Sequence, residues 1–211
     1  MKERKVSEAV IHRLPKYYRY LEELQKRGVE RISSGELSEE MGLNASQIRQ
    51  DFNCFGGFGQ QGYGYQVSSL LKELQGILGL VREYKVIVVG AGNIGRAISS
   101  YRGFAKDGFS IVAAFDINHD MVGQCIRDIS IRDIAELDAF LQKEAIDVGV
   151  ISTQKEDAQD ICNKLVENGV KAIWNFAPVD VQHKDGFVEN VHLSDFLYIL
   201  TYRLNNQGNA S

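Results

Sequence analysis

The sequence predicts an α/β chain in two parts: a small helical unit closed by a glycine-rich hairpin, then a parallel sheet wound with helices. Three observations carry this. Lys85–Val89 is an apolar run ending in Gly90-Ala91-Gly92-Asn93-Ile94-Gly95, which leads into Arg96-Ala97-Ile98 and reads as strand, glycine turn and helix start. From there to residue 193, short apolar runs alternate with helical patterns, as a parallel sheet covered on both faces requires. Ahead of it, apolar-periodic segments are separated by Ser, Gly and Asn, which cap and end helices.

Val10, Ile11, Leu14, Tyr17, Tyr18, Leu21 and Leu24 recur at helical spacing over residues 7–27. Pro15 predicts a break into a short first turn and a helix starting near Pro15, where proline is tolerated. Ser34 is placed to cap a short helix to Met41, Gly42 ends it, and Asn44 caps a third helix over 45–52. Helix, glycine turn and helix make a helix-turn-helix whose last helix would lie in a DNA major groove. Gly56–Tyr65 holds five glycines interleaved with aromatics. It reads as a β-hairpin with Gln60, Gln61 and Gly62 at the tip, the wing of a winged helix-turn-helix domain that reaches the sugar-phosphate backbone. An amphipathic helix over 67–82 closes this unit, with the boundary near 82–84.

The second part reads as strand 85–90, helix 92–106, strand 111–116, a β-rich connection 121–131 and helix 132–144. Strand 147–152, helix 155–168 and strands 171–177 and 187–193 complete a Rossmann-like parallel sheet domain. Gly90 permits the tight turn, Gly92 lets the backbone approach a pyrophosphate, and Gly95 lets the helix pack close to the strand. The helix start offers N–H groups to the phosphates. Asp116 ends the second strand 21 residues after Gly95. It is placed to accept hydrogen bonds from the adenosine ribose hydroxyls, and its charge repels a 2′-phosphate, so NADH and NAD are the expected ligands. The last helix, Ser194–Leu204, is apolar around most of its circumference and is expected to be buried, most simply in a symmetric dimer.

With 44% apolar and 25% charged residues the 211-residue chain can bury a core, and no apolar run approaches a membrane span. The N-terminal residues lead into no apolar signal segment, so a cytoplasmic protein is expected. Residues 1–80 carry 11 basic and 10 acidic side chains, a net +1, and residues 81–211 carry 13 and 18, a net −5, so the acidic excess behind the overall −4 sits in the second part. Any DNA contact must therefore come from local placement of Arg and Lys. Cys54, Cys125 and Cys162 form no metal-ligand pattern and are expected to be buried thiols, with no metal bound.

Several longer segments occur together in one order: Arg13-Leu14-Pro15 with Tyr17-Tyr18-Arg19, Ser33-Ser34, Ile48-Arg49 with Asp51-Phe52, Phe58-Gly59 and Gly62-Tyr63-Gly64-Tyr65. The glycine turn through Ala97, Tyr101 with Gly103-Phe104, Ala114-Phe115-Asp116, Asn175-Phe176-Ala177-Pro178 and Val188-Glu189-Asn190-Val191 continue the series. In these segments the chain resembles the bacterial Rex family of redox-sensing transcriptional repressors, from about Ile11 to Leu204. The resemblance implies a winged-helix DNA-binding domain over 1–82, a dinucleotide-binding domain over 83–193, and a C-terminal helix and tail over 194–211 exchanged between the subunits of a homodimer. It implies binding to a palindromic double-stranded DNA operator, release by NADH, and no enzymatic turnover. The DNA-contacting residues are then Ser33, Ser34, Ala45, Ser46, Gln47, Arg49, Gln50, Gln60, Gln61, Gly62 and Tyr63. Residues 90–95, Tyr101, Asp116, Thr153, Asn175 and Phe176 would hold the cofactor, and Arg19, Tyr101 and His192 would form the switch.

Five positions depart from the family pattern. Gln50 and Gln61 stand where basic residues are usual, and Gln pairs with adenine where Lys or Arg suits guanine, so an altered operator preference and a flatter salt dependence are expected. His192 replaces an aspartate that pairs with the residues matching Arg19 or Tyr101; Gln154 and Trp174 also differ near the expected nicotinamide pocket. A repressor with a lost or re-purposed sensor is the second reading, and an NAD-dependent oxidoreductase the third. The third lacks an acid-base pair: Tyr101 and Lys106 are five residues apart rather than four, and His12, His119 and His183 fall in terminal or loop settings.

Overall fold

The computed structural model describes residues 6–56 and 63–206. The chain divides into two units, Met1–Arg82 and Glu83–Ser211.

In the first unit α1 (Glu8–Ile11) and α2 (Leu14–Lys26) separate at residues 12 and 13, and Pro15 sits in the first turn of α2, where its missing N–H costs nothing. β1 (Arg31–Ile32), α3 (Ser34–Met41), α4 (Ala45–Asn53), β2 (Tyr65–Gln66) and α5 (Val67–Ile77) follow. The cap of α3 is Ser33 rather than Ser34. Ser33 Oγ accepts from Glu36 N–H at 3.1 Å while Glu36 Oε2 accepts from Ser33 N–H at 2.7 Å, a reciprocal pair open to the residue three before the glutamate. Gly42 ends α3 at φ +62°, and Asn44 Oδ1 accepts from Ser46 N–H at 2.8 Å to start α4. Helix α5 stops at Ile77 instead of 82, because Gly79 turns left-handed (φ +74°) and Leu80 N–H returns to Gln75 O at 2.9 Å. Leu21, Leu37, Ile48 and Leu74 form the core with Phe52, which lies edge-on to Tyr17 and Tyr65. Of the hairpin, Tyr65–Gln66 pairs antiparallel with Arg31–Ile32; Phe58, Gly59, Gln60, Gln61 and Gly62 lie outside the described residues.

The second unit runs β3 (Tyr84–Val89), α6 (Asn93–Ser100), α7 (Gly103–Lys106), β4 (Phe109–Asp116), β5 (Cys125–Ile126), β6 (Ile129–Asp133), α8 (Leu137–Leu141), β7 (Val148–Ile151), α9 (Lys155–Glu167), β8 (Ala172–Asn175), β9 (Phe187–Asn190) and α10 (Leu193–Asn206). Seven strands lie in the order β5-β6-β4-β3-β7-β8-β9, parallel except for β5. Alternation along β3 serves two layers: Ile87 and Val89 pack with Leu137 of α8 and Leu165 of α9, while Val86 and Val88 pack with Ile98 of α6.

Three expectations need correction here. The helix expected over 92–106 breaks at Tyr101, which is extended and folds its ring over Gly103, where a Cβ would collide with it. The helix expected from 132 begins later, because β6 runs to Asp133, whose side chain accepts from Ala135 N–H and starts a single 3-10 turn before α8. Of the cysteines only Cys162 is buried; Cys54 is half-buried and Cys125 exposed. The expectation for α10 is cover in a dimer, and within its own chain the helix is open: Phe196 and Tyr202 are each 70% exposed and Leu197 61%.

Candidate nucleotide cleft and DNA-reading helix

The glycine turn between β3 and α6 is built by three glycines with different reasons to be glycine. Gly90 has φ +95° and comes so close to β7's end that a Cβ would lie 2.5 Å from Ser152 O. At Gly95 a Cβ would run into Gly90 O, so the helix packs on the strand only with hydrogen there. Gly92, the N-cap of α6, has nothing within 4 Å of its Cβ direction and faces open space. Two further side chains brace the turn: Ser152 Oγ donates to Gly90 O at 2.8 Å, and Arg96 Nε donates to Ala91 O at 3.1 Å. Sequence reasoning missed both, since neither pairing follows from spacing.

Asp116 ends β4 beside this turn. Its Oδ2 accepts from Ala91 N–H at 2.6 Å and its Oδ1 from Asn118 N–H at 2.8 Å, so both oxygens are aimed and each keeps acceptor capacity for a hydroxyl. A cleft of about 660 Å³ opens at the C-terminal ends of β3, β4 and β7, where the strand order reverses direction. Gly90, Gly92, Asp116 and Thr153 line it, as expected from sequence order, together with Gln154. Ile117, Ile134 and Ile161 add apolar lining of the kind a base packs on, and Asp157, Asp160 and Lys164 stand along α9; spacing in the sequence points to none of these six.

The other expected cofactor residues lie apart from that lining. Asn93 and Ile94 form the first turn of α6. Tyr101 is exposed and stands edge-on to Phe104 at 4.8 Å between ring centroids; Phe104 in turn meets Trp174, and Trp174 meets Phe176 at 4.6 Å. Asn175 is fully buried and its amide is spent on structure, donating to Val179 O and Asn190 Oδ1 and accepting from Ala177 N–H. His192, between β9 and α10, bonds through Nε2 to Asp180 Oδ1 at 2.7 Å. That bond raises the imidazole pKa, desolvation opposes it, and the charges of Asp180 and Asp195 raise it further.

On α4, Ile48, Asp51 and Phe52 point inward, while Ser46, Arg49 and Gln50 are exposed and Ala45 is half-buried. Arg49 is held by two hydroxyls, donating from Nη1 to Ser34 Oγ at 2.9 Å and from Nη2 to Ser46 Oγ at 3.2 Å. Gln47 turns toward the protein and donates from Nε2 to Asp51 Oδ1 at 2.9 Å. Tyr63 is exposed and its carbonyl accepts from Arg31 Nη1 at 2.9 Å; Arg19 is exposed on α2. Among the described residues no group of His, Cys, Asp and Glu side chains is arranged to hold a metal, and no helix is long and apolar enough to cross a membrane.

A capped helix-turn-helix and a Rossmann-like sheet with a cleft at its strand ends define a nucleotide-linked regulator of the DNA-binding class. Residues 5–53 match the family described as "Putative DNA-binding protein N-terminus" and residues 81–179 the one described as "CoA binding domain". The chain is 58% identical to the redox-sensing transcriptional repressor Rex of Clostridium novyi, over 97% of this chain and 98% of that one, and 56% identical to the protein of the same name from Clostridium tetani, over 98% of each. Its structure is similar to that of RSP, a Rex-family repressor, in complex with β-NAD+ and operator DNA (TM-score 0.91, 52% identity, 96% of this chain and 94% of that one). For RSP in complex with β-NADH the TM-score is 0.89, at 49% identity over 97% and 96% of the two chains. The chain belongs to the Rex family of redox-sensing transcriptional repressors.

Proposed function

We propose that this chain is a cytoplasmic homodimeric repressor that binds a palindromic operator through two copies of α4 and its wing and leaves it when NADH fills the cleft. The observation that carries the nucleotide half is Asp116, held by Ala91 N–H at the glycine turn with acceptor capacity to spare. A carboxylate there takes the ribose hydroxyls of NADH or NAD and repels a phosphate on that ribose, which disfavours NADP and coenzyme A. Gly92 leaves room for the pyrophosphate, and the isoleucine lining suits adenine. The nicotinamide ring carries a positive charge only when oxidised, and that difference gives the two forms different affinities, the one property a redox switch needs. Arg19, Tyr101 and His192 are proposed to read it.

The division at 82 and 193 follows: reading head, nucleotide domain, and an α10 exchanged with a second copy. The exposed apolar side chains of α10 support this, since a soluble monomer rarely leaves so continuous an apolar surface uncovered. DNA contacts are assigned to Ser33, Ser34, Ala45, Ser46, Arg49, Gln50 and Tyr63, with Gln60, Gln61 and Gly62 at the wing. The test is fluorescence anisotropy on a labelled palindrome at fixed salt, titrated separately with NADH and NAD+. Release by NADH alone is expected and should vanish in Asp116→Ala; binding indifferent to both nucleotides would leave a repressor without this sensor.

A further inference from the structure

Asp51 is the most heavily bonded side chain in the first unit. It is 1% exposed, and its two oxygens receive four donors: Arg13 Nε at 2.6 Å and Tyr17 Oη at 2.7 Å on Oδ2, Arg13 Nη2 and Gln47 Nε2, each at 2.9 Å, on Oδ1. Two acceptor positions per oxygen are thereby filled. Burial raises the pKa of this carboxyl, but the bonds from Arg13, Tyr17 and Gln47 outweigh it and hold the group ionised below the usual range. Burial and the same bond push the Tyr17 hydroxyl well above its ordinary value, so it stays a donor.

This arrangement divides α4 by faces. Gln47 and Asp51 are four residues apart and share the inner face with Ile48 and Phe52; Ser46, Arg49, Gln50 and Asn53 follow the spacing of the opposite face and are exposed. We infer that Gln47 does not read a base but is a positioning residue. With Arg13 and Tyr17 it anchors Asp51 to the start of α2, and this fixes the roll of α4 that turns Arg49 and Gln50 toward DNA. A Gln47 amide that swung out to a base would leave a buried carboxylate oxygen one donor short. A hydrogen bond to a charged group is worth about tenfold in an equilibrium, so the inward pose is strongly held. The inference rests on the reading of α4 as the DNA-contacting helix.

Gln47→Ala, Gln47→Lys and Gln50→Ala test it on a set of palindromes that differ by one base per half-site. Gln47→Ala is expected to weaken binding by about tenfold on every palindrome and leave their ranking unchanged. Gln47→Lys replaces the donor to Asp51 and is expected to recover affinity with the same ranking, whereas Gln50→Ala flattens discrimination at one position. If Gln47 were a base reader, lysine would move the preferred base there from adenine toward guanine, and that result overturns the inference. A second measurement needs no DNA: hydrogen exchange of the α4 amides should quicken about tenfold in Gln47→Ala and stay unchanged in Gln50→Ala. Unchanged exchange in Gln47→Ala also overturns the inference. If the unmodified chain bound no palindrome, the repressor reading would fall, and the exchange data would still decide the clamp.

Discussion

Helices α9 and α10 belong to the same unit and are nearly equal in length, 13 and 14 residues, yet they meet opposite fates. Helix α9 buries Ala158, Cys162, Leu165 and Val166 against the sheet; α10 buries none of its side chains in its own chain. The difference teaches that apolar content says a helix must be covered and leaves open by what. Other pairs in this molecule divide the same way. Gly95 is glycine because the chain itself fills the space beside it, whereas the space beside Gly92 is open. Asp51 has every acceptor position used, whereas Asp116 keeps some in reserve. Features completed within the chain are structural, and those left unfinished are where partners belong.

The largest effects should come from the two helices. Leu165→Asp puts a charge into the fully buried α9 face and should cost about 4 kcal/mol or more, unfolding the second unit at any concentration. Phe196→Asp with Leu200→Asp should leave that unit folded at low temperature but raise the dimer dissociation constant more than about 100-fold, since each large apolar side chain is worth about 1.5–3 kcal/mol on burial, and its melting midpoint should fall and lose its dependence on protein concentration. Sedimentation equilibrium and thermal melts on both variants check this. A double variant that dimerises normally would show that α10 is not covered by a second copy.

Asp51 comes next. Replacing it with Asn removes the charge facing Arg13, a partly buried pair whose disruption costs about 3 kcal/mol at neutral pH. Because the folded-state pKa is depressed, the carboxylate's contribution is complete above the ordinary carboxylate value of about 4 and fades as pH falls through the lower folded value. Denaturant melts should therefore show the gap between wild type and Asp51→Asn narrowing only in acid. A gap constant from pH 7 to pH 2 would mean that the charge contributes nothing.

The glycines give a smaller contrast. Gly95→Ala should cost about 1–3 kcal/mol in stability through overpacking against Gly90 O. Gly92→Ala should stay within about 0.5 kcal/mol of the parent, yet weaken NADH binding by about tenfold or more, read by calorimetry. If Gly92→Ala bound NADH normally, the pyrophosphate would not pass over this turn.

Which of these features the sequence displayed follows the same division. The strand, turn and helix around Gly90–Gly95 and the sheet order's alternation are local patterns, and their apolar runs were legible residue by residue. So was the capping box: Ser33 precedes Glu36 by three, a spacing that Ser34 does not have. The Gln47–Asp51 pairing also had a signal, four residues on one helix face beside Ile48 and Phe52. The break at Tyr101 had none, because it depends on a ring lying over Gly103, and neither did Ser152 on Gly90 O or Arg96 on Ala91 O, which are tertiary contacts. Exposure of α10 is illegible for a different reason: periodicity carries no information about whose atoms do the covering.

His192 is the smallest and sharpest case, because its sequence position points to a partner while its bond stays within the chain. Asp180 Oδ1 lies 2.7 Å from Nε2, 12 residues earlier in the chain, and this bond raises the imidazole pKa, so the folded protein holds its proton to higher pH than a free histidine does. The sign is fixed: the pair's contribution is complete below the ordinary histidine value of about 6.5 and is lost as pH rises through the higher folded value. Asp180→Asn should therefore lower the His192 titration midpoint, followed by its imidazole C–H resonances in NMR, with Asp195 left to raise it slightly. The same titration on Phe196→Ser/Leu200→Ser, which breaks the subunit contact without adding a carboxylate beside the imidazole, decides which side of the division His192 falls on. An unchanged midpoint makes the pair a self-contained anchor at the root of α10; a midpoint that moves when the second copy is removed shows that the partner supplies charge to this histidine as well.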